Sequence, residues 1–231
     1  MDFVKGEVIY VNKPLHWTSF RVVKVVRAKL CGLLGIKKLK VGHAGTLDPL
    51  ATGVMIICTG KKTKLIEQYQ HDVKEYIAKI KLGQTTPSFD LETEIDGEYP
   101  TDHITKERVE EVLKGFVGEI EQVPPAFSAV MINGKRAYEY ARKNVDIELK
   151  PKILVIDDIE LISCELPYIE IRVVCSKGTY IRALARDIGE ALHSGAHLVG
   201  LTRTRVGNVR VEDCLEIGEL DHFFEENIKH I

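Results

Sequence analysis

Polar and apolar residues alternate over residues 74–82, with Tyr76, Ala78, Ile80 and Leu82 on one face and Lys79 and Lys81 on the other. That period of two predicts a strand. It returns over residues 168–175, where Ile169, Ile171, Val173 and Cys175 alternate with Glu170, Arg172 and Val174. An apolar run over residues 153–162 precedes it across Glu165-Leu166-Pro167, which predicts a strand pair. Residues 7–11, 53–60 and 197–206 predict further strands, the second a central one between glycines. Spacings of three to four predict helices instead. One runs through Val22, Val26, Leu30 and Leu33 with Thr18 or Ser19 as cap, and one from Thr105 to about Phe116. A third is capped by Thr179 and runs through Leu184, Ile188 and Leu192. Shorter helices are expected after Lys61, around 138–143 and over 217–228, with a short strand at 127–131 and a turn at Asn133-Gly134. Residues 83–100, polar and acidic, predict a loop with an edge ribbon. Strand and helix signals interleave throughout, so the class is α+β or α/β.

Residues 41–53 fit neither period. They hold Gly42, Gly45, Gly53, His43, Asp48 and Pro49, a composition that shapes a loop because glycine permits φ > 0 and proline fixes its own φ. Charge makes this loop unusual. Over the whole chain the formal net charge is −2, yet residues 8–66 carry eleven lysines and arginines and a single carboxylate, Asp48. A second acid-free stretch, residues 191–211, contains Arg203, Arg205 and Arg210. Local basic surfaces follow phosphates even on an acidic protein. An aspartate before a proline is commonly a plain turn residue, but cations around a carboxylate favour its anionic form and make Asp48 a candidate nucleophile or base.

Other chemistries are weaker. Gly60-Lys61-Lys62-Thr63 lacks the upstream glycine of a phosphate-binding loop, since Met55 stands there, and Lys62 occupies the hydroxyl position. His43 and Asp48 have no third ligand nearby, so no metal is expected. The five cysteines form no CxxC pair, and no apolar run reaches transmembrane length, which points to a reducing cytoplasm. Tyr76, taken alone, is a core tyrosine as readily as a stacking platform. Tyr180 and Arg182 sit two apart at a strand-to-helix junction.

Six segments in order carry a resemblance. They are residues 42–53 around Gly42-His43-Ala44-Gly45-Thr46-Leu47-Asp48, Lys74-Glu75-Tyr76, Leu82-Gly83-Gln84-Thr85-Thr86, Pro124-Pro125-Ala126-Phe127-Ser128-Ala129, residues 134–142, and Ser176-Lys177-Gly178-Thr179-Tyr180-Ile181-Arg182. Together they resemble the TruB class of pseudouridine synthases over nearly the whole chain. The resemblance implies an α+β fold with a mixed, mostly antiparallel central sheet and flanking helices. It implies one catalytic domain over residues 1–231 without a C-terminal PUA domain, and an isomerase that needs no metal or organic cofactor. The implied reaction converts the T-loop uridine of tRNA, position 55, to pseudouridine. By motif, Asp48 is the catalytic carboxylate, Tyr76 stacks on the flipped base and Arg182 is the ion-pair partner of Asp48. His43 approaches the T-loop near the gap left by flipping, while Tyr180 and Leu201 line the uracil pocket. The lysines and arginines of the basic stretch meet phosphates.

The expected partner is the T-arm stem-loop of tRNA, bound by a monomer in the cytoplasm with no membrane and no obligate protein partner. A non-catalytic RNA-binding protein or folding chaperone of the same fold is the rival reading, disfavoured by intact Asp48, Tyr76 and Arg182. Attack on the ribose, attack on the base and proton removal to a glycal all suit the carboxylate. Three positions depart from the pattern. Met131 replaces a usual lysine, Phe127 a usual tyrosine, and Pro87 a common aspartate, which leaves Asp90 as the nearer acid of that loop.

Overall fold

The computed structural model describes residues 1–132, 134–143, 145 and 147–228. The chain begins with β1 (Val8–Lys13), α1 (Ser19–Leu34), β2 (Val41–His43) and β3 (Ala51–Thr59). A 3-10 turn over Gly60–Leu65 leads into α2 (Ile66–His71) and β4 (Lys74–Leu82). Then come β5 (Gln84–Thr85), β6 (Gly97–Glu98), α3 (Lys106–Lys114), β7 (Gly118–Gln122), β8 (Met131–Ile132), β9 (Lys135–Arg136) and α4 (Ala137–Ala141). The long β10 (Lys152–Glu165) and β11 (Tyr168–Cys175) precede α5 (Ile181–Ala191), β12 (Ala196–Val206), β13 (Val209–Arg210) and α6 (Leu220–Asn227). The class is α+β. The pairings of β1 and β2 with β3, of β7 and β11 with β10, and of β13 with β12 are all antiparallel.

These elements form two compact units, Met1–Glu75 with the chain from Thr202 onward, and Tyr76–Leu201. In the first, β3 is buried along nearly its whole length, as its unbroken apolar run requires. Val54, Ile56 and Cys58 on one of its faces join Ala44 and Val206 in a core closed by Val8, Tyr10, Ile66 and Tyr69. Helix α1 contributes Val22, Val23, Val26 and Leu30 to the buried set. It starts where Thr18 Oγ1 accepts the amide of Arg21 at 3.1 Å, and it ends at Gly35 in the left-handed region (φ 63°).

In the second unit the buried residues of β4 and β11 alternate as their sequences predict. Helix α3 is capped by Thr105, whose Oγ1 accepts the Arg108 amide at 3.2 Å. Helix α5 buries Ile181, Leu184, Ala185 and Ile188.

Several expectations shift. Residues 41–43 form strand β2, because the edge of β3 supplies the ladder that their glycine-rich composition hides. Strand β7, with exposed Glu119 and Glu121, lacks an apolar stripe and exists through pairing with β10. Thr179 is not a helix cap: its hydroxyl donates to Ser176 O at 3.1 Å, and Tyr180 takes the cap position. The segment after Lys61 begins as a 3-10 turn, and the 127–131 strand shrinks to β8. The edge ribbon within 83–100 is the β5–β6 pair. Of the expected turn, Asn133 lies outside the described residues.

Candidate active site

Asp48 sits in the connection from β2 to β3, within the first unit. The side chains around this connection explain how a glycine-rich segment keeps one shape. Ser19, buried at the start of α1, donates from Oγ to Leu47 O at 2.9 Å and accepts the Leu47 amide on the same oxygen at 2.9 Å. The Ala51 amide closes a turn onto Asp48 O at 3.0 Å, and the His16 amide donates to Pro49 O at 2.7 Å. Gly53 (φ 111°) has no room for a side chain, since a Cβ there would lie 2.2 Å from Arg203 O.

Two cations are buried beside this loop. Lys13, 0% exposed, donates from Nζ to Pro14 O at 2.9 Å and Trp17 O at 2.7 Å. Burial pulls its ammonium down to a pKa of about 8, opposed by the attraction of Asp48 and reinforced by repulsion from Arg203. Arg203, 1% exposed, donates to Val54 O from Nε at 2.8 Å and Nη2 at 2.6 Å, and reaches Gly45 O at 3.3 Å. Both were grouped by sequence with the phosphate-binding bases, and neither can meet a phosphate at such burial. The Lys13 charge instead acts inward, on the half-buried Asp48, and that of Arg203 on Lys13 and His43. Arg21, Lys24, Lys37, Lys38, Lys40, Lys61, Lys62 and Lys64 do lie exposed. His43 is partly buried on β2, and burial holds its imidazole below the ordinary histidine pKa, partly offset by a hydrogen bond with the Gly45 backbone. The ring is therefore neutral at pH 7.

The other candidates belong to the second unit. Tyr76 is a buried residue of β4, and Leu201, half-buried, lies on β12 beside β4 in the sheet. Tyr180 and Arg182 sit together at the start of α5. Gln122 fixes the backbone there, accepting the Tyr180 amide at 2.9 Å and donating to Tyr180 O at 3.2 Å. The buried Arg182 guanidinium donates to Ser88 O at 3.2 Å and Phe127 O at 3.0 Å, with its Nε 3.6 Å from Asp90 Oδ2. Asp90 is itself held, accepting Ser88 Oγ at 2.6 Å and the Glu92 amide at 2.9 Å. The acid left in the loop by the departure at Pro87 thus forms a buried ion pair with the motif arginine. The sequence offers Ser19 only as an alternative helix cap and gives no sign of Gln122. Their partners come from distant segments, which no local pattern reveals.

Among the described residues, no group of three or more His, Cys, Asp and Glu side chains is arranged for a metal ion, and no helix is long and apolar enough to cross a membrane. All five cysteines are free thiols.

Comparison with known proteins gives the class to which this fold belongs, a pseudouridine synthase. The chain belongs to the TruB family of pseudouridylate synthases: the family's N-terminal domain matches residues 32–181, and the tRNA pseudouridylate synthase B C-terminal domain matches residues 182–230. It is 66% identical to the tRNA pseudouridine synthase B of Phocaeicola vulgatus over 98% of this chain and 96% of that protein. It is 65% identical to the tRNA pseudouridine synthase B of Parabacteroides distasonis over 100% of this chain and 98% of that protein. Among solved structures, a chain of a Cbf5–Nop10–Gar1 complex superposes with a TM-score of 0.70 at 29% identity, covering 98% of this chain. This chain spans 58% of that one.

Proposed function

We propose that this protein isomerises the T-loop uridine at position 55 of tRNA to pseudouridine, with Asp48 as the catalytic carboxylate. The observation that carries the reading is Asp48 itself, held on a clamped loop beside buried Lys13 and Arg203 in a chain so similar to proteins named tRNA pseudouridine synthase B.

The chemistry asks for that carboxylate. The N1–C1′ bond breaks, the uracil turns, a C5–C1′ bond forms, N1 takes up a proton and C5 gives one up. Bond breaking builds positive charge on the sugar, which a fixed anion stabilises. The target base must first leave its stack, at a cost of a few kcal/mol that stacking on an aromatic ring offsets in part. Tyr76 is assigned to that stacking and Arg182 to pairing with Asp48. Tyr180 and Leu201 are assigned to the uracil pocket. His43, neutral at pH 7, is assigned to the gap left in the T-loop, where an uncharged ring replaces a base more readily than a cation does. The substrate is the T-arm stem-loop, taken up by a cytoplasmic monomer without a cofactor or a required protein partner.

The test incubates an unmodified tRNA transcript with the native chain and with Asp48→Asn, then maps pseudouridine chemically, since the product has the mass of the substrate. Conversion of the T-loop uridine by the native chain alone is the expected result. Equal conversion by both removes Asp48 from the mechanism, and no conversion by either removes the activity.

A further inference from the structure

Two aromatic residues flank the start of helix α1, Trp17 half-buried just before the cap and Phe20 exposed in the first turn, each with a cation four residues on. Arg21 stacks its guanidinium 3.9 Å from the centre of the Trp17 ring, and Lys24 Nζ lies 5.0 Å from the centre of the Phe20 ring. Phe20 is 56% exposed and the neighbouring Leu15 48%. Exposed aromatic surface of this kind costs free energy when left in water, and a cation over a ring recovers only part of it. Among the described residues no carboxylate pairs with Arg21 or Lys24. The patch is also fastened to the Asp48 loop, through the His16 amide on Pro49 O and through Ser19 on Leu47.

A ring beside a cation is the complement of a nucleotide, which offers a flat base beside a phosphate. We infer that the Trp17–Lys24 face binds an unpaired nucleotide of the RNA substrate flanking the extruded uridine, with its base on the Phe20 and Trp17 rings and adjacent phosphates on Arg21 and Lys24. The inference rests on the proposed activity, and it goes beyond it by assigning a stacked base to Trp17 and Phe20, residues outside the six segments that carry the family resemblance. Protein and membrane occupants fit less well. A protein interface core is depleted in charge, whereas this patch interleaves charge with every ring, and the area of two rings is small for a membrane anchor.

Trp17 is the only tryptophan of the chain, so its fluorescence reports on this face alone. The native chain is titrated with an unmodified tRNA transcript, with the isolated T-arm stem-loop and with anionic phospholipid vesicles. Pseudouridine formation and filter-measured RNA binding are followed in parallel. The expected result is saturable quenching by both RNAs and none by vesicles. Phe20→Ala is expected to weaken RNA binding about fivefold to tenfold. Arg21→Glu with Lys24→Glu is expected to flatten the salt dependence by roughly one unit of slope per lost phosphate contact. RNA binding and product formation without quenching, or a Phe20→Ala chain that binds RNA like the native one, overturn the patch and leave the activity standing. Vesicles that shift Trp17 emission while RNA does not overturn it in favour of a membrane surface. Absent product formation instead strikes the proposed activity, and absent RNA binding strikes both.

Discussion

The two units bury charge in opposite ways. In the second, the Arg182 cation faces the Asp90 carboxylate, both nearly inaccessible, and Ser88 and the Glu92 amide complete the acid's bonds. Here a buried cation meets a buried carboxylate. In the first, Lys13 and Arg203 are satisfied mainly by backbone carbonyls, which accept hydrogen bonds but supply no negative charge. The carboxylate nearest in charge, Asp48, is only half-buried. One unit thus meets its buried cations mainly with backbone dipoles, and the other meets its buried cation with a carboxylate as well.

That contrast can be broken at several points. Asp48→Asn is expected to lower turnover by about a hundredfold to ten-thousandfold; turnover within a few fold of the native chain would make Asp48 a structural acid. Asp90→Asn is expected to cost about 3–5 kcal/mol in urea unfolding, because it removes the charge of one partner of a buried ion pair. Arg203→Met is expected to cost less, about 1–3 kcal/mol, since it strands carbonyls rather than a charge. Reversal of that order would mean that the two burials are of one kind.

A smaller effect follows from Lys13. Its folded pKa of about 8 lies below the ordinary 10.5, so the fold disfavours the protonated form. At pH values between those two figures the unfolded chain binds more protons, and stability rises with pH through that window. The charge beside Asp48 fades at the same time, so kcat/KM is expected to carry a limb with a midpoint near pH 8 that Lys13→Arg removes. A limb that persists in Lys13→Arg belongs to another group. The smallest expected effect is at His16, whose φ of 63° is left-handed. His16→Gly is expected to stabilise the chain by up to about 1 kcal/mol, measured as a rise in melting temperature.

Much of the fold was legible where periodicity was long. Strands β4 and β11 alternate over their whole length because one face of each is buried, and Thr18 and Thr105 announce their helices through a hydroxyl that can accept an amide. Strands β2 and β7 were not legible, being too short or too polar to show a period, and they form because a neighbouring strand offers its edge. In the site, Asp48 stood out through its isolation among bases, and Arg182 through its motif. Lys13 and Arg203 could not be told from surface cations, because their carbonyl partners come from turns and strands that only the folded chain assembles.

The single hydroxyl of Ser19 has one more consequence. A loop amide outside any ladder ordinarily trades its proton for deuterium within seconds. That of Leu47 is locked to an oxygen buried at the first turn of α1. Its exchange should therefore run on the slow clock of the helix rather than the fast one of a surface loop. The backbone beside Asp48 borrows its lifetime from a segment that begins twenty-eight residues earlier in the chain.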